Sequence, residues 1–302
     1  MADEAQRLPA GLRPAVLERL PAADLAQACL IGEGIATRAY QINDPSGPWV
    51  ARVARDFPHP WRRRGGRSWE VPLLHALAAR GLPVPRDPFA IAGAGGLPVA
   101  IVERRVAGRP PASPPHGEQH NRLARQLAEF LTGLHHLPVR DARSHAMTSA
   151  PVAADARQHL ATVWDLLTEP ARGWLDEEIS SLEGQEVPQA VVHRDVRAEH
   201  LYLDARGDLV GVIDFGDATL DDPALDFAKI AGDFGQSFLD LLLSHYRGPA
   251  GPGVRARARR YRRLELLWEA ADDAWGEGPT VIRRLESLAA AAAPTGDAGD
   301  AV

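Results

Sequence analysis

The segment VVHRDVRAEHLYLD (191–204) packs two histidines, two acids and two arginines into eight positions, directly after a run of β-branched residues. So many ionisable groups beside an apolar strand are costly to place without a chemical use. A second apolar run, LVGVI, leads into Asp214-Phe215-Gly216. Phosphoryl transfer requires a carboxylate to orient the acceptor hydroxyl, a divalent cation to bridge phosphates, and a positive group to hold the nucleotide. The ordered pair H-R-D-x-x-x-x-N and D-F-G supplies the first two. His193-Arg194-Asp195 and Asp214-Phe215-Gly216 match it literally, and His200 stands at the Asn position. Asp195 is then expected as the catalytic base, with Asp214 and His200 at a Mg²⁺ site. Mg²⁺ prefers hard oxygen ligands and imidazole suits softer metals. His200 therefore either ligates through one nitrogen or holds a ligand water or a carboxylate. A two-histidine, one-carboxylate oxygenase site is a rival for His193, Asp195 and His200. Such a site belongs on a β-barrel, and the helical second half of this chain disfavours it.

These residues need elements to position them. Residues 15–30 read as a lead-in helix or turn, and LIGEGIATRAYQIN (30–43) as strand, glycine turn and strand. PWVARVAR alternates as a third strand after the PSG turn. Residues 68–80 have helical apolar spacing, with Pro72 tolerable in a first turn. LPVAIVERRV reads as another strand, and the proline-rich GRPPASPPHGE (108–118) as a break. Beyond it, residues 121–137 carry Leu123, Leu127, Phe130, Leu131 and Leu134 on one helical face. More helix is expected over 154–183 and from about 223 to 293. The expected fold class is α+β and bilobal: a small β-rich nucleotide-binding lobe over 1–105, a larger helical lobe over 106–293, and a disordered tail over 294–302.

IGEGIATRAYQIN, VHRDVRAEHLYLD, GVIDFGDATLDDPALDF and LAEFLTGLHHLPV together resemble the antibiotic phosphotransferases of protein-kinase-like fold. The likeness is greatest to aminoglycoside 2''-kinases, which share a histidine at the position of His200, and then to macrolide 2'-kinases. The resemblance implies ATP or GTP as co-substrate and Mg²⁺ as cofactor. It implies a phosphate cover at Gly32 and Gly34, which alone would read as a hairpin turn. Aligning WVAR with the family's strand puts Arg52 in the place of the usual lysine; alternation sends Arg55 to the other face. Glu70, the only acid between Asp56 and Asp87, becomes the partner of Arg52. Glu103, Arg104 and Val106 lie on the linker expected to hold the nucleotide, and His193 braces the loop rather than reacting. An aminoglycoside is a polycation, so acids and an aromatic face are expected around it: Asp217, Asp233, Trp268, Glu269 and Asp272, with Asp273 and Glu277 as further candidates. Past LDF this chain has only Asp233 where 2''-kinases show several acids. Macrolide, cyclic-peptide and small-metabolite kinases therefore stay open as alternatives, as does a nucleotide-binding module without turnover.

Composition sets outer bounds. A net charge of -6 disfavours general nucleic-acid binding. Cys29 is the only cysteine, which excludes an internal disulfide. With no apolar run of signal or membrane-spanning length, the expected setting is the cytoplasm, without membrane partners, as a monomer or weak dimer. Lysine occurs once, at Lys229, and arginine supplies every other strong positive charge. The partner expected is a small cationic antibiotic, because acids are expected to line its site.

Overall fold

A computed structural model describes residues 6–34, 36–57, 67, 69–112, 116–138, 152–273 and 278–292; the tail expected to be disordered lies outside them. Strands β1 (Asp24–Glu33), β2 (Thr37–Asp44) and β3 (Gly47–Ala54) form an antiparallel meander, and β4 (Phe89–Ala92) pairs with β5 (Pro98–Arg104). β5 adds to β3, giving the five-stranded order β1-β2-β3-β5-β4. One face of this sheet buries Tyr40, Ile42, Trp49, Ala51, Val53 and Val102 under Val16 of helix α1 (Arg13–Arg19). Period-two alternation therefore turns Arg52 to the opposite face. β4 was not legible in the sequence, because a four-residue strand is too short to show a pattern.

Helix α2 (Glu70–Ala79) sends Leu73, Leu74 and Leu77 into the larger apolar cluster of the helical region, and its Val71 packs on Ala54 and Ile101 of the sheet. Glu70 at its first position is thereby fixed between the two regions. The chain then crosses by a linker that Arg109 and Leu203 tie down with reciprocal backbone hydrogen bonds of 3.1 and 2.9 Å. Gly108 makes that crossing possible: its φ is +90°, and a Cβ there would lie 2.4 Å from the Leu203 carbonyl oxygen.

α3 (Gly117–His135) buries the expected face of Leu123, Leu127, Phe130, Leu131 and Leu134. The helix expected over 154–183 is two, α4 (Val152–Val163) and α5 (Glu169–Ser180). Pro170 in the first turn of α5 cannot continue a preceding helix, which explains the break. Two short two-stranded antiparallel sheets follow, β6 (Ala190–Val192) with β9 (Thr219–Asp221) and, between them in the chain, β7 (Leu201–Leu203) with β8 (Leu209–Val212). The remainder is α6 (Ala224–Phe234), α7 (Gln236–His245), α8 (Val254–Asp273) and α9 (Gly278–Ala292), with Gly235 at φ +83° separating α6 from α7. The class is α+β, as expected. Among the described residues no helix is long and apolar enough to cross a membrane.

Candidate active site

The 193–195 turn hangs between β6 and β7, and the 214–216 turn between β8 and β9. One imidazole joins them. His193, fully buried, takes the Asp195 N–H on Nδ1 (3.2 Å) and reaches the Ile213 carbonyl with Nε2 (3.0 Å), the residue before Asp214. Asp226 of α6 pins the same turn from below, accepting the backbone N–H of His193 (3.0 Å) and of Arg194 (2.6 Å). His135 of α3 bonds Asp226 in turn (2.9 Å) and Tyr246 on its other nitrogen (2.7 Å). Arg194 and Asp214 both have left-handed φ, +69° and +62°. Neither is a glycine, so the surrounding bonds must hold them there.

Asp195 is half-buried, and burial raises its carboxyl despite His200, Lys229 and Arg197 nearby. His200 aims Nδ1 at the Asp195 carbonyl oxygen (2.8 Å). With that nitrogen donating, Nε2 keeps its lone pair, the usual arrangement of a metal-binding imidazole. Asp214 also loses its water, which raises its carboxyl, but Arg52 and Arg67 reverse this and hold it at about 2. Their Nη1 atoms lie 3.5 and 3.7 Å from Asp214 Oδ1.

Arg52 is the hub of the cleft. It pairs with Glu70 through Nη2 and with Glu103 through Nε (3.2 Å) and Nη2 (3.3 Å). Burial disfavours its charge, yet Glu103, Glu70 and Asp214 together raise its pKa. Glu103 pays the other side of this balance: burial and the neighbouring carboxylates push it up to about 7, even with Arg52 in contact. Arg55 turns outward to Glu33 and the Gly34 carbonyl, so the two arginines do part to opposite faces.

Other expected residues divide. Gly32 and Gly34 sit at the β1–β2 hairpin, where Gly34 N–H bonds the Thr37 carbonyl (2.8 Å). Glu103 is committed to Arg52 rather than open on the linker. The Arg104 side chain engages Asp87 (2.8 Å), the Ser46 carbonyl (2.6 Å) and the Trp49 ring, away from Arg52. Val106 rests against Gly211, where an added Cβ would come within 2.1 Å of its Cγ1. Asp217 is exposed beside Asp214. Asp233 receives the Ala198 N–H (2.7 Å) and so props the 197–200 loop. Trp268 donates its indole N–H to Asp155 (2.9 Å), which also holds Arg194 (3.0 Å). Glu269 and Asp272 fall on the last turns of α8, and their side chains, like Asp273 and Glu277, lie outside those described. Of the expected acidic wall, only Asp217 and Asp233 have described side chains.

Sequence reasoning missed Arg67, which stands in the arginine-rich run WRRRGGR with no motif to single it out. It also missed Arg197, Lys229 and Glu265. Arg197 Nε is 3.1 Å from Asp195 Oδ1 and its Nη2 is 3.6 Å from Glu265, while Lys229 pairs with Glu265 and lies 3.7 Å from the same Asp195 oxygen. The only available signal was the lone lysine in a chain that otherwise uses arginine.

A model of the phosphotransferase enzyme family matches residues 27–261. The chain belongs to that family. The viomycin phosphotransferase of Streptomyces vinaceus is 29% identical over 216 residues, which cover 66% of this chain and 73% of that relative. The fold is shared with APH(2'')-IIIa in its GDP and kanamycin complex, at 21% identity and a TM-score of 0.73 over 93% of this chain and 98% of the other. It is shared as well with a macrolide 2'-phosphotransferase from Brachybacterium faecium, at 19% identity and a TM-score of 0.69 over 93% and 98% of the two chains. The chain is accordingly a phosphotransferase with a hydroxyl as acceptor.

Proposed function

We propose that this phosphotransferase inactivates a cationic, hydroxyl-bearing antibiotic by moving onto it the γ-phosphate of ATP or GTP. The observation that carries this reading is the His193 bridge, which keeps the Asp195 turn and the Asp214 turn in one register. Two carboxylates with different environments then divide the work. Asp195 takes the proton of the attacking hydroxyl as the new O–P bond forms, while the bond from phosphorus to the β-bridging oxygen breaks and the nucleoside diphosphate leaves. The proton passes from Asp195 to solvent afterwards. Arg52, steadied by Glu70 and Glu103, holds the phosphates in line. The lobe of residues 1–105 supplies the nucleotide site and residues 106–293 the acceptor site.

The donor set suits Mg²⁺. Asp214 stays ionised at all ordinary pH, and His200 has Nε2 free of the Asp195 carbonyl bond. Three ligating side chains do not converge among the described residues, but Mg²⁺ commonly uses one or two protein ligands together with phosphate and water. Asp214, with His200 beside it, would hold the ion. When bound, Mg²⁺ supplies charge neutralisation at the β- and γ-phosphate oxygens.

Nucleotide consumption is the test, measured with aminoglycosides, macrolides and cyclic-peptide antibiotics for wild type and Asp195→Asn. Turnover with at least one antibiotic is expected, reduced about 10²–10⁴-fold in the variant, the usual contribution of a general base. The reading fails if no antibiotic stimulates consumption, or if Asp195→Asn keeps the wild-type rate.

A further inference from the structure

The acceptor side of Asp195 carries an arrangement that the expected polycation site does not explain. Arg197 and Lys229 both reach Asp195 Oδ1, at 3.1 and 3.7 Å, and both reach Glu265 Oε1. Arg262 also pairs with Glu265. Glu265 is buried and answers three cations with one negative charge, so it anchors them without cancelling them. Its low carboxyl fits that role: burial alone would raise it, and Lys229 and Arg262 overcome the burial. Lys229 stands on α6 and Glu265 on α8, two helices packed against each other, so the ammonium is held from below and its side chain remains 21% exposed. In a chain with 34 Lys and Arg residues this is the one lysine.

We infer that Lys229 is a specificity-determining residue: it sets a positive charge beside the acceptor hydroxyl, so the hydroxyl phosphorylated is one whose neighbouring carbons carry no ammonium. The inference rests on Asp195 as the group that takes the acceptor's proton. A hydroxyl bonded to Asp195 Oδ1 lies within about 7 Å of Lys229 Nζ, given a hydrogen bond of about 2.8 Å added to the measured contact. An ammonium on the adjacent carbon would then face both Lys229 and Arg197 at a distance where like charges repel. A cationic drug is still accepted if its charges lie elsewhere on the molecule. Amide-flanked seryl hydroxyls of cyclic peptides and sugar hydroxyls flanked only by other hydroxyls both qualify.

The test compares kcat/KM for matched acceptors in wild type, Lys229→Met and Lys229→Arg. One pair is serine amide and N-acetylserine amide at high concentration, which differ only in the ammonium next to the hydroxyl-bearing carbon. The other is an aminoglycoside and a cyclic-peptide antibiotic. Wild type should favour the acceptor without the adjacent ammonium, and Lys229→Met should reduce that preference on the order of tenfold. Lys229→Arg keeps the charge and should keep the preference. Equal losses for both members of a pair would make Lys229 a brace between α6 and α8 and overturn the inference. A wild-type preference for the ammonium-flanked member would overturn it too. Nucleotide consumption driven by the small alcohols alone, with no antibiotic accepted, would refute the antibiotic reading while still deciding this one.

Discussion

Glu103→Gln changes one atom in the most crowded part of the cleft. In the wild type burial lifts Glu103 from 4.5 to about 7, with Arg52 lowering it and Glu70 raising it. Between those two values the folded protein binds a proton that the unfolded chain releases, so this group's contribution to stability falls as pH rises through the window. Above pH 7 both states are ionised and the folded state carries the whole penalty, about 3 kcal/mol from the gap between the two values. Glutamine cannot ionise, and its carbonyl oxygen can still accept from Arg52 Nε. Glu70 and Asp214 remain to balance Arg52. The variant should match wild type near pH 4.5 and exceed it by about 1–3 kcal/mol at pH 8, less than the full penalty because a neutral oxygen is a weaker partner. For a chain of this size that is a rise of roughly 2–6 °C in Tm. Urea unfolding of both proteins at pH 5 and pH 8 reads the difference directly. A variant that loses stability relative to wild type on going from pH 5 to pH 8 would falsify the reasoning, since it would mean that Arg52 depends on an ionised Glu103.

Arg52→Met should cost about 3–5 kcal/mol and abolish tight nucleotide binding, because it strands Glu70 and Glu103 without their cation. Arg55→Ala should change neither, and thermal unfolding with a nucleotide titration checks both. Asp226→Ala removes the carboxylate that accepts two backbone N–H groups of the 193–195 turn and should lower kcat at least tenfold while nucleotide affinity, measured by calorimetry, holds near wild type. Gly211→Ala forces a methyl into Val106 and should weaken nucleotide binding by shifting the linker. Adding Val106→Ala should restore much of it, and no recovery in the double variant would remove the linker from the explanation.

The parts of this molecule that its sequence made legible are local ones. His193, Asp195 and Asp214 sit in short turns whose spacing is set within a few residues, so a linear motif can carry them. Arg52 and Glu70 were reached through the family resemblance, with alternation and elimination only choosing among nearby residues, and the structure does pair them. Contacts across long separations were not legible. Arg67 belonged to no motif, Glu103 was read as a linker residue, and Asp233 and Trp268 were read as candidate substrate contacts. In the structure Asp233 holds the backbone of residue 198 and Trp268 holds Asp155, 35 and 113 positions away. A carboxylate that will meet a drug and one that will hold a loop have the same sequence signature, and packing of α4, α6 and α8 decides between them. Proline and glycine at 170 and 235 divided helices that apolar spacing alone ran together.

Arginine at position 52 has a consequence for chemical reactivity. Acylating and aldehyde reagents attack neutral amines, and many are built on nucleotides to capture an amine beside the phosphates. Here the group beside Asp214 is a guanidinium that does not release its proton, so such a reagent finds no nucleophile there. The one lysine of the chain stands across the cleft at Asp195. Amine-directed labelling would therefore mark the acceptor side, and the acceptor rather than the nucleotide should protect against it.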